Sequence, residues 1–110
     1  TIAMSETNSH DGTGPIFSTF ADDEDFGELL QIFSDSVEER KISLIEANKN
    51  KDFEQIKSLA HQLKGAGGGY GFPGLTTVAK DLEEACLDEN ENSIIENLDR
   101  LIAYIDRIEL

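Results

Sequence analysis

Four stretches of the chain repeat apolar residues at the three-to-four-residue spacing of a helix with one buried face. In the first, Phe26, Leu29, Leu30, Phe33, Val37, Leu44 and Ile45 recur as far as about Ala47, with Glu38, Glu39, Arg40 and Lys41 largely outward. The turn Asn48-Lys49-Asn50-Lys51 ends it. The second stretch presents Phe53, Ile56, Leu59, Ala60, Leu63, Gly67 and Tyr70. The third turns Leu75, Val78, Ala79, Leu82, Ala85 and Cys86 inward and its acids Asp81, Glu83 and Glu84 mostly outward. The fourth carries Ile94, Ile95, Leu98, Leu101, Ile102, Ile105 and Ile108. No stretch alternates apolar and polar residues over a useful length, which predicts no sheet. Four amphipathic helices with short links predict an all-α fold, an antiparallel up-down four-helix bundle.

Local signals place the boundaries. Asp25-x-x-Glu28 and Asp52-x-x-Gln55 have the spacing of capping boxes, and the acidic run from Asp22 to Asp25 suits a helix N-terminus. Pro73 fits the first turn of the third helix, and the polar link from Asp88 to Asn92 offers caps for the fourth. Residues 1–15, small and polar with two glycines and a proline, predict a disordered leader, leaving the bundle to residues 16–110. Ile16, Phe17 and Phe20 form a short N-terminal cap segment expected to pack on the bundle. His10 has no second histidine nearby, so no metal role is expected for it.

Composition narrows the partners. With 110 residues the chain encloses one core. Its 23 acidic against 9 basic residues give a net charge of −14, which argues against nucleic acid and anionic membranes, both bound through clustered cations. No apolar run approaches the ~20 residues of a membrane span, and the N-terminus lacks the layout of a signal peptide. The single cysteine, Cys86, cannot form an internal disulfide and reads as core filler. A cytoplasmic monomer is the expectation.

One feature resists the helical pattern. Gly65, Gly67, Gly68 and Gly69 crowd the end of the second helix, at a joint cost of roughly 3–4 kcal/mol relative to alanine. A domain holds only about 5–15 kcal/mol of net stability. Turning the helix by ~100° per residue sets His61 roughly 140° from the centre of the apolar sector, facing solvent. Lys57, Lys64, Gly65 and Gly68 lie four residues before and three, four and seven after it, on the same face. An exposed imidazole is a nucleophile near neutral pH. Missing side chains leave room for another macromolecule, and ammonium groups favour a phosphoryl group on the ring nitrogen. Gly67 falls on the buried stripe and is expected to serve packing, whereas Gly69 has no evident role.

His61-x-Leu63-Lys64-Gly65, with Gly68 and a closing Gly71, resembles the signature of histidine-containing phosphotransfer (HPt) domains. The resemblance covers roughly residues 20–110. It implies a four-helix bundle in which His61 accepts a phosphoryl group from a receiver-domain aspartate, or from a sensor histidine kinase, and passes it to another receiver. It further implies that Lys64 helps hold that group and that Gly65 and Gly68 clear the docking surface; Lys57, on the same helix face, is a second candidate for holding the group. In some relatives a polar residue of the following helix supports the histidine, and Asp81, Glu83 and Glu84 are the candidates here. Gly71-Phe72 also resembles the phosphorylated domain of chemotaxis kinases, so a piece of a larger hybrid or chemotaxis-type kinase is an alternative.

The chain has no G-x-x-x-x-G-K-[ST] loop and no carboxylate cluster on the His61 face. ATP-dependent kinase activity is therefore not expected of it, no cofactor of its own is implied, and the catalytic aspartate and Mg2+ should come from the receiver. A di-iron bundle would want Glu-x-x-His on two helices, but Ser58 stands three before His61. A docking adaptor with an unphosphorylated histidine is the remaining alternative.

Overall fold

Side-chain caps and proline decide where the helices begin. The computed structural model describes residues 14–109, so the expected leader up to residue 13, with His10, and Leu110 lie outside the described residues. Within them run β1 (Ile16–Phe17), α1 (Gly27–Lys49), α2 (Phe53–Gly67), α3 (Pro73–Leu87), α4 (Glu91–Asp106) and β2 (Ile108–Glu109). The Asp52 carboxylate accepts from Gln55 N at 3.2 Å to open α2, and Asn90 Oδ1 accepts from Ser93 N at 3.1 Å to open α4. Pro73 starts α3, where a missing N–H costs nothing. The box expected at Asp25 does not form. Asp23 instead accepts from Asp25 N at 3.0 Å and caps a 3-10 turn, Glu24–Phe26, that leads into α1.

Short connections fold each helix back on the one before, and α4 closes the bundle against α1. Leu44, Ile56, Leu63, Phe72, Leu75, Leu82 and Leu101 are fully enclosed between them. The expected stripes hold for α2 and α3. On α1 and α4 they are too wide: Leu29, Ile45 and Ile95 remain 45%, 47% and 40% exposed, because a third apolar residue per turn falls outside the buried sector.

The expectation of no sheet is corrected at one point. β1 pairs in parallel with β2, Ile16 opposite Ile108, and Ile16 N donates to Arg107 O at 2.6 Å. α4 therefore stops at Asp106, short of Ile108. The Arg107 guanidinium donates to Gly14 O at 2.7 Å, and Gly14, within the stretch expected to be a leader, is buried. Ser18, also buried, continues the strap by donating to Tyr70 O at 2.7 Å, while Thr19 N donates to Gly71 O at 2.9 Å. Aromatic rings tie the same region to α1: Phe33 stacks on Tyr70 at 4.4 Å and on Phe72 at 5.6 Å.

The glycine run is where α2 ends. Gly68–Tyr70 tighten into a 3-10 turn, and Gly71 takes a left-handed φ of 84°. Phe72 N donates to Gly67 O at 2.8 Å and Gly71 N to Gly68 O at 3.2 Å, the paired bonds of a Schellman cap. Gly67 itself is buried against α3: a Cβ there would lie 2.8 Å from Thr76 N and 2.9 Å from Phe72 O. At Gly65 a Cβ would meet nothing within 4 Å. Opposite outcomes are expected on urea unfolding. Gly67→Ala should lose about 1–3 kcal/mol by overpacking, and Gly65→Ala should gain about 0.5–1 kcal/mol through helix propensity.

Candidate functional site

Burial of Leu59, Ala60 and Leu63 fixes the rotation of α2 and turns His61 to the surface, its side chain 67% exposed. Lys64, Gly65 and Gly68 share that surface, as the wheel predicts, and a Cβ at Gly68 would reach only Thr76 Oγ1 at 3.9 Å. Gly69, without a role in the sequence, is equally bare and extends the same open area.

Glu83 of α3 is the acid that meets the histidine. Its Oε2 lies 2.8 Å from His61 Nδ1 and its Oε1 2.6 Å from Lys64 Nζ, so one carboxylate brackets both groups. Only 15% of the Glu83 side chain is exposed, in contrast to the outward placement expected. A spacing signal for it exists. Glu83 stands four residues after Ala79 and three before Cys86, both buried, which puts it at the edge of the apolar stripe. Asp81 instead faces Arg100 at 3.9 Å, and Glu84 is exposed. The Lys64 ammonium, and secondarily His61, hold the Glu83 carboxyl below its ordinary value against the opposing effect of burial.

A carboxylate accepts only, so the Glu83 contact calls for a proton on Nδ1 and leaves the Nε2 lone pair free and outward. Lys57 is not drawn into this group; its ammonium faces Glu54 at 3.5 Å. Two contributors escaped the sequence reading. The Thr76 hydroxyl donates to Lys64 O at 2.9 Å and accepts from Gly68 N at 3.0 Å. Arg40 of α1 donates through Nε to Gln62 Oε1 at 3.1 Å, bringing a half-buried cation to the residue beside His61. Neither shows in the periodicity, because both depend on how neighbouring helices meet. Between α1 and α2 a shallow hollow lined by Ile32, Ser36, Leu63, Ala66 and Tyr70 adjoins the glycine face.

The lowered Glu83 pKa has a pH consequence. Its stabilising contribution is complete above the unfolded value of about 4.3 and is lost as pH falls through the lower folded value. In a carboxyl NMR titration Glu83 should titrate below the exposed glutamates, and Lys64→Met should raise it. An ordinary titration in wild type would contradict the bracket.

Comparison with known proteins identifies the family. Neither the curated proteins nor the solved structures gave a match. The family model described as Hpt domain matches residues 28–109, which take in all four helices but for Gly27 at the start of α1, and the whole His61–Glu83–Lys64 group. The chain belongs to the Hpt-domain family, the histidine-phosphotransfer domains of two-component phosphorelays.

Proposed function

We propose that His61 is the phosphoryl acceptor and donor of this domain, acting through Nε2. The observation that carries the reading is a ring held at Nδ1 by Glu83 at 2.8 Å yet 67% exposed, so that it is oriented but open to a partner. In the forward step the Nε2 lone pair attacks the phosphorus of a receiver's aspartyl phosphate. The N–P bond forms, the acyl O–P bond breaks, and its electron pair leaves on the aspartate. Positive charge grows on the imidazole as this happens, and the Glu83 carboxylate beside Nδ1–H favours it. Lys64, one-third exposed, is within a short swing of the arriving phosphoryl oxygens. Return of the group to a second receiver is the reverse of these events.

The aspartate and its Mg2+ belong to the receiver, and a sensor histidine kinase stands upstream of it. Such a partner would rest on Gly65, Gly68 and Gly69 and on the hollow beside Ile32, a residue 61% exposed. We place the domain in the cytoplasm as a monomer; none of the described helices is long and apolar enough to cross a membrane.

Incubation with a receiver charged by acetyl phosphate tests the assignment. Acid-labile, base-stable phosphate should appear on wild type and not on His61→Gln, and ATP alone should label neither. Phosphate retained on the variant would overturn the site. Gly65→Gln separates docking from chemistry: transfer from the receiver should fall at least tenfold, about the effect of 1.4 kcal/mol of lost contact, while labelling by the small donor phosphoramidate stays near wild type.

A further inference from the structure

We propose that Thr76 is a positioning residue for phosphotransfer: its hydroxyl locks α3 against the last turn of α2 in the register that delivers Glu83 to His61. The inference rests on the reading of His61 as acceptor. Threonine in a helix ordinarily turns its hydroxyl back to the carbonyl four residues earlier. The neighbouring Thr77 does this, donating to Pro73 O at 3.4 Å. Thr76 does not. Its Oγ1 crosses to α2, gives its one proton to Lys64 O at 2.9 Å and accepts the Gly68 N–H at 3.0 Å.

The two backbone groups it joins belong to residues of the open face. Lys64 is thereby held at both ends, its carbonyl by Thr76 and its Nζ by Glu83 at 2.6 Å. Thr76 and Glu83 stand seven residues apart, two turns along one edge of α3. A shift or rotation of α3 that broke the first contact would displace the second. The approach needs Gly67, since a Cβ there would sit 2.6 Å from Thr76 Oγ1. Gly67 and Thr76 thus form one joint between the helices, and the Glu83 bracket is set by it.

Thr76→Val removes the hydroxyl at nearly constant shape, Thr76→Ser keeps it, and Thr76→Ala serves as the hydroxyl-free variant if valine prevents folding. The readouts are the ring 15N shifts of His61 and the rate of transfer from a phosphorylated receiver. Without the hydroxyl, the Nδ1–H tautomer signature should move toward the exchange average and transfer should slow about fivefold to thirtyfold, the effect of weakening one or two hydrogen bonds. Serine should restore both. An unchanged ring signature, an unchanged rate, or a serine variant as slow as the hydroxyl-free one overturns the proposal. A wild-type protein that accepts no phosphoryl group would instead overturn the reading of His61, and the ring shifts would still report on Thr76.

Discussion

The contact on which the site depends is the approach of α3 to α2 at Gly67. Interiors pack at the density of organic crystals, so two helices take up one spacing and register where their backbones nearly touch. Gly67 supplies the gap, and the backbone of Thr76 fills it. From that point α3 runs beside the His61 face, and Glu83 arrives two turns later with most of its side chain covered. The strap from Ser18 and Thr19 and the stacked rings of Phe33, Tyr70 and Phe72 hold the turn at the end of α2 from its other side. The surface histidine is therefore exposed without being loosely held.

Charge works with this geometry. In a chain with a net charge of −14, a phosphoryl group meets a repulsive field over most of the surface. The half-buried Glu83 gathers Lys64 and His61 to one point, and Arg40 stands behind Gln62 on the α1 side. Glu83 adds a negative charge beside the imidazole, but both of its oxygens are occupied, one by each cationic or proton-bearing partner. On the proposed reading, Glu83 orients the ring and favours its developing positive charge, and the lysine it holds meets the phosphoryl oxygens.

Much of this was legible from spacing alone. The stripes of α2 and α3, the Asp52 cap, a cap for α4 within the link from Asp88 to Asn92, Pro73 and the outward face of His61 all follow from local rules, since each concerns residues within one or two turns. What escaped is tertiary. The hydroxyl of Thr76 finds its partners on another helix, and β1 meets β2 across nearly the whole chain. The choice of Glu83 among three acids lay in between, because its position between Ala79 and Cys86 marks it as half-covered. Lys51 and Glu89 take left-handed φ values of 54° and 55° in the tight links, positions that no glycine marks in the sequence. Asp25 failed as a cap because Asp23 closes an earlier turn.

The structure also revises the energetic puzzle of the four glycines. The α-helix ends at Gly67, and Gly68 and Gly69 belong to the 3-10 turn beyond it. Only Gly65 and Gly67 then carry the full helix-interior penalty, about 2 kcal/mol together rather than 3–4 kcal/mol. The two hydrogen bonds of Thr76, at ~1 kcal/mol each, are of the same size. One of them exists because Gly68 presents its N–H at the helix end, and both need the space left by Gly67. Gly67 is thus offset by the joint it permits. Gly65 has no structural compensation, since nothing lies within 4 Å of where its Cβ would be. On the proposed reading, the open space beside Gly65 is where the receiver comes to rest, and the stability given up there serves that contact.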